Sequence, residues 1–281
     1  MDLTDETRQT PLTTSPIKLV AVDLDGTLLD RSKKVSERAA AAMKCLPGSG
    51  VKVVIASARP PRSVRAIYQE LGLDTWQINY NGALIWDEPN QQPIFHRPMH
   101  PRLVRMMIER ARDMFEEVLV SCEVLDKWYT DRDEHTYTTE TGRLFKPDFV
   151  CDIGQICSQP ITKLMLLGEP RIILQLESLL LEEFGGKVTI LHTDEELLQI
   201  MDNRVSKAVA LKKIATHYGV KPSEVMAIGD APNDVGMLQF AGVAVAVANA
   251  HDVVKEVAHW IAPSNEEHGV HAALQRYGLC E

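Results

Sequence analysis

Short apolar runs rich in Val, Ile and Ala recur along the chain, each followed by a polar residue or glycine and then by a helix-like segment. They cover residues 17–22, 51–56, 225–228 and 243–247, and a weaker run covers 260–262. Such runs are typical of parallel strands that are buried on both faces and connected by helices. The pattern therefore predicts an α/β fold built on a parallel sheet flanked by helices.

The pattern changes between about residues 87 and 201. Two helix-like segments, 102–117 and 171–184, alternate there with strand-like segments at 118–124, 127–130, 161–167, 187–191 and 196–201. Helices crossed with short paired strands predict a separate α+β domain, 87–201, inserted into a discontinuous core of residues 17–86 and 202–281. The segment Asp87-Glu88-Pro89-Asn90 suits a linker, and the polar, Thr-rich residues 1–16 suit a loose tail.

Composition narrows the classes of function. The net charge of -9 over 281 residues argues against a nucleic-acid surface, which needs clustered Lys and Arg. Five scattered cysteines with no CxxC pair argue against a disulfide framework or a zinc site. The tail lacks the features of a secretory signal, and no segment has 18 uninterrupted apolar residues. We therefore expect a cytoplasmic protein that does not act at a membrane.

Polar residues close the apolar runs in a coherent way. The first run ends at Asp23, the second at Ser57, the third at Gly229-Asp230 and the fourth before Asn249. Ligands of open α/β sheets bind beyond the carboxyl ends of the parallel strands, so these residues are expected at one edge of one sheet. For Asn249 the sequence leaves two possibilities open, a simple turn or a direct part in the site.

The acids at this edge predict a bound metal ion. Asp23, Asp25, Asp230 and Asp234 would repel one another strongly unless a cation lay between them. The donors are oxygen atoms, with no cluster of His or Cys nearby, which favours a hard ion, and Mg²⁺ with retained waters fits best. Gly26 would allow the chain to turn after the first two acids.

Lys207 and Ser57 predict an anion beside these acids. Ser206 suits the N-cap of a helix reaching about residue 218, which places the Lys207 cation in the first turn, against the helix dipole. The ammonium of Lys207 would neutralise the acids and hold a phosphoryl oxygen. Ser57 would donate through its hydroxyl and its backbone amide to another oxygen, although it also suits a helix cap.

These motifs resemble those of the haloacid dehalogenase-like phosphatases, which have the same residue types in the same order. The matching motifs are Asp23-x-Asp25-Gly26-Thr27, Ser57, Lys207 and Gly229-Asp230-x-x-Asn233-Asp234. The long insertion between the second and third motifs, and Asn81-Gly82-Ala83 ahead of it, are similar to the Cof-type subgroup with a class IIB α/β cap. The resemblance implies a Rossmann-like catalytic core with an inserted cap that closes over the site.

The resemblance also implies a role for each residue. Asp23 would be the nucleophile that forms an aspartyl phosphate, and Asp25 the acid and base. Mg²⁺ would bind the Asp23 side chain, the Asp25 carbonyl and Asp230, with Asp234 as a direct or supporting ligand. Residues expected to bind the phosphate or the substrate are Ser57, Ala58, Arg59, Asn81, Gly82, Lys207 and Asn233.

Three functions follow from this resemblance and stay open at this point. The first is a Mg²⁺-dependent phosphatase for small phosphate monoesters such as sugar phosphates, acting on a small phosphorylated metabolite as a monomer or homodimer. The second is a phosphomutase or phosphotransferase that uses the same intermediate. The third is a regulatory protein that stores the phosphoryl group, against which Asp25 argues. The aromatic residues Trp128, Tyr129 and Tyr137 suit either a substrate pocket or core packing.

Overall fold

The structure is a computed structural model, and it describes residues 15–133, 137 and 140–281. Contacts divide the chain into two compact units. The first unit contains residues 15–59, 64–92 and 206–281, and the second contains residues 60–63 and 93–205. The predicted boundaries 17–86, 87–201 and 202–281 stay predictions, and most of the predicted tail lies outside the described residues.

Strands and helices alternate along the part of the chain that the structure describes. The strands are β1 (Leu19–Val22), β2 (Lys52–Ile55), β3 (Gln77–Asn79), β4 (Leu84–Asp87), β5 (Gln92–His96), β6 (Leu119–Val124), β7 (Lys127–Thr130), β8 (Phe149–Val150), β9 (Lys163–Leu167), β10 (Val188–Asp194), β11 (Leu197–Asp202), β12 (Val225–Gly229), β13 (Val243–Val247) and β14 (Trp260–Ala262). The α-helices are α1 (Glu37–Cys45), α2 (Pro61–Glu70), α3 (Pro101–Met114), α4 (Glu140–Leu144), α5 (Ile153–Ile156), α6 (Pro170–Phe184), α7 (Lys207–His217), α8 (Val235–Phe240), α9 (Asp252–Val257) and α10 (Gly269–Arg276).

A five-stranded parallel sheet forms the centre of the first unit, in the order β14-β13-β12-β1-β2. All residues of β1, β12 and β13 are buried, as expected for strands covered by helices on both faces. Neighbouring β1 and β12 are far apart in the sequence, yet Ala21 pairs with Ala227. The predicted α/β fold is confirmed, and the residues that follow β1 and β12 come close together.

Helix α7 shows how local sequence sets the position of a site residue. The Ser206 hydroxyl caps it by accepting a hydrogen bond from Val209 N at 3.1 Å. Its buried side chains include Ala210, Leu211 and Ile214, at the spacing of one helix face. The predicted cap and start of this helix are therefore present, and Lys207 is its first residue.

The second unit is built on a six-stranded sheet in the order β10-β11-β9-β6-β7-β8, in which only β7 and β8 pair in parallel. Helix α3 buries Val104, Met107, Ile108 and Ala111, which recur at helical spacing. It ends three residues earlier than expected because Phe115 takes an extended conformation. This unit has the helices and paired strands that the sequence predicts for an α+β domain.

Three aromatic residues singled out from the sequence, Trp128, Tyr129 and Tyr137, pack against core clusters of this unit. Trp128 and Tyr137 pack against a small buried cluster that contains Leu119 and Met165. Tyr129 packs against the larger core cluster, and its ring stacks on that of Phe149 at 4.7 Å between centroids. Of the two possibilities that the sequence leaves open, core packing accounts for these contacts.

The segment 87–90 and the cysteines test two other expectations from the sequence. Asp87 ends β4, and Glu88, Pro89 and Asn90 form the turn that follows it, with Asp87 accepting hydrogen bonds from Asn90 N and Nδ2. These residues thus form a hydrogen-bonded turn rather than an open linker. Asp and Asn are common in both, because their side chains bond to nearby backbone. All five cysteines are free thiols, as their scattered positions predict.

Candidate active site

Three carboxylates meet at the carboxyl ends of β1 and β12. Asp23 follows β1, while Asp230 and Asp234 follow β12, and one oxygen of each lies within 4.8 Å of the others. Asp23 is 5% exposed and Asp234 is fully buried. Burial, together with neighbouring Asp234 and Asp230, raises the pKa of Asp23 well above its ordinary value, although Lys207 acts in the opposite direction. This group, Asp23, Asp230 and Asp234, is called the acid cluster below.

Lys207 supplies a buried cation to the acid cluster. Its Nζ lies 2.6 Å from Asp23 Oδ1 and 2.7 Å from Asp234 Oδ1, and its side chain is 1% exposed. Burial lowers the pKa of Lys207, but the two carboxylates raise it by more. The pKa of Lys207 is therefore above its ordinary value, and the ammonium stays charged. One cation among three acids leaves an excess of negative charge, as a site for a divalent cation requires.

Asp234 is held from several sides. Its Oδ1 accepts from Lys207, and its Oδ2 accepts from Asp230 N and Ala231 N, both at 3.1 Å. A Cβ on Gly229 would lie 2.6 Å from Asp234 Cβ, so only glycine fits beside this side chain. Since both oxygens of Asp234 already accept hydrogen bonds, its contacts suit a residue that supports the cluster.

Asp230 lies against the turn that follows Asp25. Thr27 Oγ1 donates to Asp230 Oδ1 at 2.7 Å, and burial raises the pKa of Asp230. Gly26 has a φ of +80°, and a Cβ there would collide with the Asp230 carboxylate. The glycine of this motif is thus required both by the turn and by the acid beside it.

Asp25 lies in a different charge environment. Arg59 donates to it twice, from Nε to Oδ2 at 2.7 Å and from Nη2 to Oδ1 at 2.5 Å, and Lys33 Nζ donates to Oδ1 at 2.7 Å. Burial acts to raise the pKa of Asp25, but the bonds and charges of Arg59 and Lys33 together lower it. The two acids of the first motif are therefore unequal, since only Asp23 contacts the buried lysine.

A family model described as haloacid dehalogenase-like hydrolase matches residues 20–274 of this chain. The chain belongs to this family. The 5-amino-6-(5-phospho-D-ribitylamino)uracil phosphatase YitU of Bacillus subtilis is 29% identical over 266 residues, which cover 92% of this chain and 97% of that protein. YcsE of the same organism, a phosphatase of the same name, is 29% identical over 263 residues, covering 94% and 96%.

Solved structures give the same result. A haloacid dehalogenase-like hydrolase from Bacteroides thetaiotaomicron has a TM-score of 0.84 and 27% identity, covering 92% of this chain and 99% of that one. The match spans nearly the whole of both chains, so the likeness is not restricted to the parallel sheet. No helix among the described residues is both long and apolar enough to cross a membrane.

Hydrogen bonds connect several of the remaining predicted residues of this haloacid dehalogenase-like hydrolase to one another. Asn233 Nδ2 donates to Asn81 Oδ1 at 2.8 Å, and Asn81 N donates to the Ser57 carbonyl at 3.1 Å. A Cβ on Gly82, whose φ is +98°, would collide with the carbonyl of Ser206. Gly82 thus lets the chain around it approach the start of α7, whose first residue is Lys207.

Ser57 is 1% exposed, and its hydroxyl accepts a hydrogen bond from Arg59 N at 3.1 Å. Its backbone amide donates to the Ile78 carbonyl at 2.9 Å, so the expectation that this amide points to a phosphate is wrong. The short bridge that pairs Ala56 with Ile78 continues the sheet edge and uses that amide. Only the hydroxyl suits a phosphate contact, and Ala58 offers no polar side chain.

The side chain of Asn249, whose role the sequence alone left open, connects two loops of this family member. Its Nδ2 donates to the Gly26 carbonyl at 2.7 Å, and its Oδ1 accepts from Asn265 N at 3.0 Å. Asn265 Nδ2 in turn donates to the Leu29 carbonyl at 2.8 Å, and Glu266 Oε1 accepts from Arg31 N at 2.7 Å. These contacts hold the loop that follows Asp25.

Sequence reasoning missed Lys33, Asn265 and Glu266. None of them ends a buried strand, and exposed Lys, Asn and Glu are common in loops. For Lys33 one signal was present, a basic residue eight positions after the second acid. The resemblance offered none for Asn265 and Glu266, because their partners are more than 230 residues away.

Proposed function

We propose that the protein is a Mg²⁺-dependent phosphatase that hydrolyses small phosphate monoesters through an aspartyl phosphate on Asp23. The observation that carries this proposal is the acid cluster, in which Asp23 and Asp234 share one buried lysine, together with Asp25, an acid of the first motif that binds other cations. An excess of carboxylate oxygens without soft donors fits Mg²⁺.

Asp23, Asp230 and the Asp25 carbonyl would hold the ion, with Asp234 supporting them. When bound, the ion would neutralise charge on the phosphoryl oxygens and keep Asp23 ionised. The carboxylate of Asp23 attacks phosphorus, an Asp23 oxygen–phosphorus bond forms, and the bond from phosphorus to the ester oxygen breaks. A proton passes from Asp25 to the departing oxygen.

In the second step a water molecule attacks the phosphorus of the aspartyl phosphate. Asp25, which lost its proton in the first step, accepts a proton from that water, and the Asp23 carboxylate is released together with inorganic phosphate. Two carboxylates keep Lys207 charged before the reaction, and its ammonium would stabilise the negative charge on the phosphoryl group. Ser57, Arg59, Asn81 and Asn233 would orient that group.

Asp25 has to carry a proton in order to act as the general acid. Arg59 and Lys33 lower its pKa before substrate binds. An incoming phosphate ester brings negative charge to these cations and to Asp25, which weakens their hold on the carboxylate and raises its pKa. Substrate binding itself would therefore favour the protonated form that donates to the departing oxygen.

The relatives suggest a substrate class. Two Bacillus subtilis proteins of similar length are named for a substrate in which phosphate is esterified to a ribityl chain. Together with the resemblance to phosphatases of sugar phosphates, these names support a phosphate ester of a small polyhydroxylated carbon chain as substrate. Water would be the final acceptor.

A panel of phosphate esters tests this proposal. We expect the purified protein with Mg²⁺ to release inorganic phosphate from p-nitrophenyl phosphate and from at least one sugar or polyol phosphate. EDTA should stop the release reversibly, and Asp23→Asn should abolish it. Isomer formation without free phosphate would instead indicate a phosphomutase, and undiminished turnover in Asp23→Asn would refute the role of Asp23.

A further inference from the structure

The loop after the first motif is a closed turn that ends in a bridge between Leu29 and Val35. Asp30 N donates to the Lys34 carbonyl and Lys33 N donates to the Asp30 carbonyl, both at 2.9 Å. The Asp30 carboxylate also accepts from Ser32 Oγ at 2.7 Å and from Lys34 N at 3.0 Å. Such a set of local bonds fixes the backbone of the turn.

Lys33 has a backbone conformation that this residue type rarely adopts. Its φ is +62°, in the left-handed region that favours glycine and asparagine. The bonds of Asp30 maintain this conformation from within the turn, and Asn265 and Glu266 hold Leu29 and Arg31 from outside. A strained residue that its surroundings over-determine is a reason to look for a function.

From this backbone position, Lys33 Nζ lies 2.7 Å from Asp25 Oδ1, on the carboxylate that Arg59 also binds. Asp25 thus accepts hydrogen bonds from two cationic side chains. Around Lys207 there are three acids for one cation, an excess of two negative charges that a divalent ion would balance. Lys33 and Arg59 therefore bring positive charge to Asp25, beside a cluster whose excess charge is negative.

We propose that Lys33 is a substrate-binding residue that contacts an anionic oxygen of the phosphate ester beside Asp25. Its side chain is 46% exposed, so a ligand can reach it from solvent. The inference rests on the proposed function. The anionic oxygen belongs either to the phosphoryl group or to a carboxylate on the rest of the substrate, and both take the same charge-assisted bond.

Two substitutions of Lys33 and one matched control test the proposal. Lys33→Met removes the charge and keeps the length of the side chain, while Lys33→Gly also suits the positive φ. Lys34→Met removes an exposed charge from the next position of the same loop. We expect both Lys33 variants to lower kcat/KM by about 10- to 100-fold, mainly through KM, as for a lost bond to a charged group. Lys34→Met should match the wild type.

Thermal unfolding separates substrate binding from a structural role. Lys33→Gly relieves the left-handed strain and removes an exposed side chain, whose ion pair with Asp25 contributes little to stability, so its Tm should equal or exceed that of the wild type while activity falls. A fall of Tm in step with activity in Lys33→Gly would overturn the proposal. So would kcat/KM values in both Lys33 variants equal to those of Lys34→Met.

Glucose 6-phosphate and 6-phosphogluconate distinguish the two sources of the anionic oxygen. An equal loss on both substrates assigns Lys33 to the phosphoryl group, and a loss on the acid alone assigns it to the carboxylate. Binding of inorganic phosphate in the presence of Mg²⁺, measured by calorimetry, needs no turnover. Weaker phosphate binding in Lys33→Met than in Lys34→Met would support the anion-binding role of Lys33. If no ester is hydrolysed, only the proposed phosphatase function is refuted, and this binding test still applies.

Discussion

Replacing Lys207 with Met is the perturbation that follows most directly from the charge distribution of the site. The substitution nearly preserves the volume of the side chain but removes the ammonium that lies 2.6 Å from Asp23 and 2.7 Å from Asp234. Three carboxylates then remain at one sheet edge with no cation among them. The variant therefore separates the electrostatic role of Lys207 from its packing.

Removing one partner of a buried ion pair typically costs about 3–5 kcal/mol, because the other charge stays buried and uncompensated. This is an upper limit here, since Asp23 can take up a proton, as its raised pKa shows. One kcal/mol shifts the Tm of domains of this size by about 2–4 °C, so the metal-free variant should lose up to about 6–20 °C.

Magnesium should reverse part of this loss. A ligand that binds only the folded state at 100 times its Kd adds about 2.7 kcal/mol, and the variant has more unbalanced negative charge with which to hold a cation. The Tm should therefore rise more on adding Mg²⁺ in Lys207→Met than in the wild type. Phosphate release should still fall by about 10²–10³, because a preorganised cation at the reacting group is lost.

The assay is thermal unfolding with EDTA or with Mg²⁺, combined with phosphate release from p-nitrophenyl phosphate. Lys212→Met is the matched control, since Lys212 is exposed on the same helix. A Tm of Lys207→Met in EDTA within a degree or two of the control would refute the reasoning. A smaller response to Mg²⁺ than in the wild type would also contradict it.

Two further predictions test other parts of the structure. Gly82→Ala should lower the free energy of unfolding by about 1–3 kcal/mol, and with it Tm and activity, because the φ of Gly82 is +98° and an added Cβ would displace the start of α7. Gly48→Ala is the control, since Gly48 has open space around it, and it should change neither Tm nor activity. His96 concerns stability against pH: burial lowers its pKa from 6.5 to about 4, and one of its ring nitrogens, Nε2, lies 2.8 Å from Thr162 Oγ1. Between these two pKa values the unfolded chain binds a proton that the folded chain does not bind. The stability that neutral His96 contributes is therefore full above about pH 6.5 and is lost as the pH drops toward 4. The loss is about 1–2 kcal/mol after allowing for the partly exposed ring. His96→Gln should flatten the dependence of Tm on pH between 7 and 4.5. If substitution of the exposed His251 by Gln flattens it equally, His96 is not the cause of that dependence.

The sequence predicted those parts of the fold that hydrophobic pattern determines. Runs such as 243–247 became strands because buried parallel strands need continuous apolar residues. The short strands β3 and β8 were missed, since segments of two or three residues show no periodicity. Within the site, residues that end strands were found, because topology alone brings Asp23 and Asp230 together.

The residues that act through loops were beyond this reasoning. Lys33 reaches Asp25 from a residue with a positive φ, and no propensity predicts that conformation for lysine. Asn265 and Glu266 contact a loop more than 230 residues earlier in the chain, through the packing of two irregular segments. Their roles required coordinates.

In the proposed mechanism Asp23 carries the phosphoryl group during turnover, and trapping that group on the protein tests this role. Asp25→Asn, mixed with Mg²⁺ and p-nitrophenyl phosphate and quenched with acid, should retain a phosphoryl group, because the residue that activates water is absent while the good leaving group needs no acid. Mass spectrometry should place it on Asp23, and Asp23→Asn should show none. A phosphoryl group on another residue, or wild-type turnover with no trapped species in Asp25→Asn, would contradict the account.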